Sequence, residues 1–211
     1  IDVIINCIGL TNVEDCEKNP ELAEKVNKNI PKNIARACFE CKIKFVQIST
    51  DHLFEGNSSY YSETVSCNPI NVYGITKAQG EKAVLDVNPQ ALVVRTNFFG
   101  SGPSYKASFS DKILHNLDSG ITSNLFDDVH YTPVSVSALR KMVITLLKKK
   151  GEGVFNICSN ERLTKYQFGI LLSKIYGYPT SLIKPISINE VPNLISRPKD
   201  MSLSNYKLCS Y

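Results

Sequence analysis

The chain has 211 residues, 43% of them hydrophobic and 21% charged, with a formal net charge of +4 at pH 7. This is globular composition, long enough to bury a sizeable core, and its charge is too mild and dispersed to argue for nucleic acid. Seven scattered cysteines are no disulfide framework, no apolar stretch is long enough to span a membrane and no signal peptide is present, so a reducing cytoplasm is the expected compartment.

The chain opens on "IDVIINCI", a near-continuous apolar run after Asp2 that predicts a parallel strand covered on both faces. Starting on a buried strand, without an initiator Met, predicts that a first portion of the fold is missing. In "NPELAEKVNKNI", Asn19 is the expected N-cap, with Pro20 and Glu21 in the first turn. Pro31 predicts a break or a kink, giving two helical pieces over about 20–29 and 31–41. Cys38 and Cys41 form a lone CxxC without a second pair to complete a zinc site, so they read as core or surface thiols. Lys44–Ile48 predicts a short strand ending in "STD", and 49–69 a polar loop.

A helix is predicted from Asn71 to about Val87, then the strand "ALVVRT" over 91–96. Strands alternating with helices imply a parallel sheet with right-handed crossovers. Further elements are a helix over 107–118, a strand over 121–126 and a helix over 136–149 with Val136, Leu139, Val143, Leu146 and Leu147 on one stripe. Lys148–Lys150 closes that helix, where cations suit the dipole. "GVFNICS" predicts a strand, 164–176 a helix, and Ser204 a cap for a last short one. Asp127 and Asp128, with no third ligand nearby, read as turn chemistry, and His115 and His130 as surface positions.

Ligands of an open parallel sheet collect at the carboxyl ends of its strands. The predicted ends carry "CIGLT", "STD" and "RTNFFG", and the helix returning after the second carries Tyr73 and Lys77. Positions i and i+4 share a helix face, so both side chains can point at Thr50. That grouping suits carbonyl reduction. A phenol titrates near about 10, and a cation close by would draw it toward the working range. Thr50 could hold the substrate oxygen while Tyr73 protonates it, and the hydride must come from a cofactor.

Taken together, "INCIGLTNVEDCE", "QISTDHLFEG", "NPINVYGITKAQGEKAV" and "VVRTNFFG" resemble successive blocks of the extended short-chain dehydrogenase/reductases, in particular the dTDP-4-dehydrorhamnose reductase-like group. "FDDVHYTPVSVSAL", "GVFNICSNERLTKYQFG" and "SRPKDMSLSNYKL" extend the resemblance over essentially the whole chain. It implies an α/β, Rossmann-type doubly wound sheet lacking its first βαβ segment, with a small C-terminal α/β substrate lobe. Residues 1–103 would form the partial NAD(P)-binding domain and 104–211 mainly the lobe, with returns to the sheet. The implied reaction is NAD(P)H-dependent reduction of a keto group on a nucleotide-linked deoxysugar for surface polysaccharide synthesis. A non-catalytic nucleotide-binding regulatory subunit, or an epimerase or dehydratase of the same fold, is the alternative.

Carried over by position, Thr50, Tyr73 and Lys77 match the catalytic residues. Cys7, Ile8, Gly9, Thr11 and Phe98, with Tyr73 and Lys77, match positions along NADPH or NADH. Val13, Asp51 and His52 match substrate positions, and Arg197 is the candidate cation for the diphosphate, with pairing to a local carboxylate as the rival reading. No metal, nucleic-acid or membrane partner is implied; a homodimer is compatible. The chain departs from the pattern in lacking the glycine-rich turn, and in having His52 and Phe98 where a tyrosine and a tryptophan are usual, which puts the usual keto-rhamnose substrate in doubt.

Overall fold

The computed structural model describes residues 1–103 and 107–211. In chain order, β1 (Val3–Asn6) leads through α1 (Val13–Lys18), α2 (Pro20–Glu24) and a π-helical turn (Lys25–Asn29) into α3 (Ile30–Glu40). Then come β2 (Lys44–Ile48), α4 (Val72–Val87), β3 (Leu92–Arg95), β4 (Phe98–Phe99) and α5 (Phe109–Asp118). The remainder comprises β5 (Ser123–Phe126), β6 (His130–Tyr131), β7 (Val134–Ser135), α6 (Val136–Lys148), β8 (Gly153–Asn156), β9 (Leu163–Thr164), α7 (Lys165–Tyr176), β10 (Ile183–Ile186) and α8 (Tyr206–Ser210).

β1, β2, β3 and β8 lie side by side in that order, all parallel, with Val46 opposite Leu92 and Leu92 opposite Gly153. Helices cover both faces, as such a sheet requires. On one face Phe45, Ala91 and Val93 pack with Ala35 and Cys38 of α3 and Val84 of α4. On the other, Val46, Leu92, Val94 and Phe155 pack with Leu139, Val143 and Leu146 of α6. The apolar stripe of the 136–149 prediction therefore docks on the sheet. A separate core joins α5 and α7 to the parallel pair β5–β10, around Ile113, Leu117, Leu125, Phe168, Leu172 and Ile183. The fold is α/β with a doubly covered parallel sheet, as expected. Residues 104–106, where the second unit was expected to begin, lie outside the described residues.

Three expectations are corrected. Pro31 does not break the helix: it sits in the first turn of α3, and helical structure runs unbroken from Pro20 to Glu40. The preceding turn is π-helical, with the Ile30 N–H bonded to the Lys25 carbonyl five residues back, which accommodates the ring and its missing N–H. The first strand is shorter than 1–8 and not covered on both faces; Ile5 is 47% exposed and Ile8 52% exposed. Among the described residues β1 pairs only with β2, so its other edge is free. At the end of the chain the N-cap of α8 is Asn205, while the Ser204 hydroxyl accepts from the Tyr206 N–H at 3.4 Å.

Candidate active site

A cleft of about 500 Å³ opens at the carboxyl ends of β1, β2 and β3. Its walls include Cys7, Ile8, Gly9 and Thr11 after β1, Thr50, Asp51 and His52 after β2, and Phe98 after β3. Val13 of α1 and Tyr73 and Lys77 of α4 complete the set. Every site residue expected from the sequence lines this one cleft except Arg197.

The start of α4 is fixed from three sides. Its N-cap Asn71 accepts from the Gly74 N–H at 2.9 Å and donates to the Ser196 carbonyl at 2.9 Å. The Glu17 carboxylate of α1 accepts from the Val72 N–H at 2.8 Å, an anion at a positive helix end. Third, the helix rests on the loop after β2 so closely that a Cβ at Gly74 would stand 2.2 Å from the His52 carbonyl oxygen. This contact brings Tyr73 beside Thr50 and His52. The Tyr73 ring meets His52 edge-on, with centroids 5.4 Å apart and planes at 72°.

The Tyr73 phenol is buried, and burial drives its pKa above the ordinary value; the hydrogen bond with Thr50 opposes this, and the charge of Asp51 adds to it. The expectation that Lys77 draws the phenol down is not met. Instead the Lys77 ammonium donates to the Ile48 carbonyl at 2.8 Å. Its own pKa falls to about 8 through burial, opposed by the charge of Glu81 one turn further along α4 and by Cys7. Desolvation is the dominant influence on both groups.

Asp51 is buried and held: Asn97 donates to it at 2.7 Å and the Thr50 hydroxyl at 3.3 Å. Burial lowers the pKa of His52, Asp51 opposing and Lys165 and Arg197 reinforcing, and its Nδ1 is enclosed without a hydrogen-bond partner. Arg197 pairs with Glu14 at 2.5 Å and donates to the Ile195 carbonyl at 3.2 Å. The local-carboxylate reading describes it, and it does not line the cleft.

Sequence reasoning missed several participants. Asn27, buried in the π-helical turn, accepts from the Leu10 N–H at 2.9 Å and donates to the Leu10 carbonyl at 3.0 Å and to Thr76 at 3.1 Å. It ties the loop after β1 to α4. Asn97, Ser49, Thr96 and Arg140 also line the cleft. The Ser49 and Thr96 hydroxyls are buried there without partners, so a ligand with donors and acceptors fits the floor. The readable signal for Ser49, Thr96 and Asn97 was their place at strand ends; Asn27 had none. Among the described residues no group of His, Cys, Asp and Glu could hold a metal, and no helix is long and apolar enough to cross a membrane. Cys38 is a buried thiol and Cys41 an exposed one, both free.

The RmlD substrate binding domain model matches residues 1–210. A probable low-salt glycan biosynthesis reductase of Haloferax volcanii is 33% identical over 203 residues, 94% of this chain and 68% of that protein. Methionine adenosyltransferase 2 subunit beta of Xenopus laevis is 27% identical over 224 residues, 98% of this chain and 64% of that protein. Among solved structures, a dTDP-4-dehydrorhamnose reductase from Clostridium acetobutylicum superimposes with a TM-score of 0.90 at 31% identity, covering 97% of this chain and 72% of that one. A dTDP-4-dehydrorhamnose reductase from Bacillus anthracis in complex with NADP gives 0.92 at 25% identity, covering 99% and 73%.

Proposed function

The chain belongs to the RmlD substrate binding domain family, and on that premise we propose that it is an NAD(P)H-dependent reductase of a keto group on a nucleotide-linked deoxysugar, serving surface polysaccharide synthesis. The observation that carries the reading is the convergence of Thr50, Tyr73 and Lys77 on one cleft walled by the three strand ends. The cofactor, when bound, supplies the hydride to the carbonyl carbon. Thr50 holds the carbonyl oxygen, and Tyr73 delivers its phenolic proton to that oxygen as charge develops. Burial keeps the phenol protonated at neutral pH, the state a donor needs. Cys7, Ile8, Gly9, Thr11 and Phe98, which line the cleft, would hold the cofactor, and Lys77 would donate to its nicotinamide ribose. Val13, Asp51 and His52 meet the sugar. Residues 1–103 serve the cofactor and 104–211 mainly the sugar nucleotide. Seven free cysteines favour a reducing compartment.

A second reading, a nucleotide-binding regulatory subunit, has one specific observation in its favour, the similarity to methionine adenosyltransferase 2 subunit beta. The deciding experiment follows consumption of NADPH by the full-length protein, with dTDP-4-dehydrorhamnose as the probe. Turnover that vanishes in Tyr73→Phe supports the reductase; cofactor binding without turnover on any keto-sugar nucleotide supports the subunit.

A further inference from the structure

The cleft extends past the strand ends onto one face of the sheet. Tyr73 and Lys77 reach it from α4, which packs on one face, and α6 lines it from the other with Val136, Arg140 and Ile144. These three stand four apart, so they share one side of α6, beside the buried stripe of Leu139, Val143 and Leu146. Val136 and Ile144 are exposed, as is Ile5 of β1, which lines the same cleft. Strand alternation puts Ile5 on the side of Val3, the side that packs toward α6. This wall is apolar and open, and among its described residues Arg140 is the one charge.

Three charged residues line the cleft among the described ones: Asp51, Lys77 and Arg140. Asp51 accepts from Asn97 and Thr50, and Lys77 donates to the Ile48 carbonyl. Arg140 has no such engagement. α6 contains no Asp or Glu, so no carboxylate stands three or four positions away along the helix. Among the described residues nothing forms an ion pair, hydrogen bond or ring contact with its guanidinium. A guanidinium is a planar fork of donors that matches a phosphate. The place says whose phosphate it is. Val13 and His52, read as substrate positions, pack with Tyr73, so the sugar belongs on the side of α4. Arg140 stands on the side of α6, which that assignment leaves to the cofactor.

We propose that Arg140 is a cofactor-binding residue: its guanidinium donates to a phosphate of the nicotinamide dinucleotide. This rests on the reductase reading. One exposed guanidinium adds to a phosphate site without replacing backbone N–H groups, and salt screens its contact.

The test measures dissociation constants by calorimetry on the full-length protein, as wild type, Arg140→Met and Arg140→Lys, with NADPH, NADH and dTDP as probes. Arg140→Met should weaken NADPH binding about five- to thirtyfold, in line with loss of a charged hydrogen bond partly screened by water. Arg140→Lys should recover part of the loss, because the charge stays and the fork goes. Added salt should weaken NADPH binding more steeply in wild type than in Arg140→Met, which a merely structural role would not produce. An equal loss for NADH supports the assignment and places Arg140 on the pyrophosphate that both cofactors carry. A loss for NADPH alone supports it too and places Arg140 on the 2′-phosphate. Binding of dTDP, which carries the diphosphate of the sugar nucleotide, should be unchanged. Unchanged NADPH and NADH affinities in Arg140→Met overturn the proposal, as does a loss for dTDP as large as that for the cofactor. Should Arg140→Met not fold, Arg140→Gln decides by the same criteria. A wild-type protein that binds neither NADPH nor NADH removes the reductase reading, and the proposal with it, before any variant is compared.

Discussion

At the scale of single residues, Tyr73 and Lys77 divide the proposed chemistry, and each carries its own prediction. Tyr73→Phe keeps the ring that packs edge-on against His52 and removes only the proton. Hydride transfer should fall by about 10²–10⁴ with the melting temperature nearly unchanged, as loss of a general acid requires; retention of most of the activity would refute the acid role. For Lys77 the consequence lies in pH. Its pKa is about 8 in the fold against an ordinary 10.5, so the folded chain binds fewer protons than the unfolded chain between those values. Its contribution to stability therefore rises as pH increases through that window. Function should run the other way, because the ammonium proposed to hold the ribose disappears. NADPH affinity measured across the alkaline range should weaken above about pH 8, and in Lys77→Met it should be weak at every pH. An affinity in Lys77→Met equal to wild type would remove Lys77 from cofactor binding. The spacing of the pair was legible in the sequence. The direction of the Tyr73 shift was not, because i and i+4 spacing fixes a shared face but says nothing of desolvation.

At the scale of elements, α4 is held to its surroundings along its whole inner face. Beyond Gly74, a Cβ at Gly80 would stand 2.2 Å from the Asn27 carbonyl oxygen, so only glycine permits this approach to the π-helical turn. Further along, the buried Glu81 carboxylate takes three hydrogen bonds from Arg95 of β3, at 2.8, 3.0 and 3.2 Å. Arg95 also reaches Cys67 at 3.2 Å and lies over the Phe54 ring. Glu81→Gln alone strands a buried guanidinium and should cost about 3–5 kcal/mol in denaturant melts, whereas Glu81→Leu with Arg95→Met should cost less than the single change. A single variant as stable as wild type would show that the pair contributes nothing. The existence of α4 and its boundaries were readable from Asn71 and the apolar rhythm. The pairing of Glu81 with Arg95 was not, since it joins positions fourteen apart through a sheet–helix contact that no local pattern encodes.

At the scale of the molecule, alternating strands and helices announced the parallel sheet, and strand-end residues announced the cleft. The C-terminal lobe was less legible, because the two-residue strands β6, β7 and β9 have no periodicity to detect. The same scale bears on the cofactor. Among the described residues, no glycine-rich turn opens a helix after β1, β2 or β3, and such a turn is how this kind of sheet binds a pyrophosphate through backbone N–H groups. Calorimetric titration of these 211 residues with NADPH should therefore show binding weaker than micromolar. Micromolar binding would locate the phosphate site elsewhere within them.

The π-helical turn at Lys25–Asn29 also bears on tolerance to insertion and deletion. Removing one residue from it would restore ordinary α-helical winding and abolish the widened turn that carries Asn27. Asn27 would swing away from Leu10 and Thr76, and the loop along the cleft would lose its tie to α4. Elsewhere a surface helix absorbs a change of sequence residue by residue. Here the length of the segment is itself part of the site, so related chains that keep the cleft should keep the residue count between Gly9 and Pro31 even where side chains other than Asn27 have drifted.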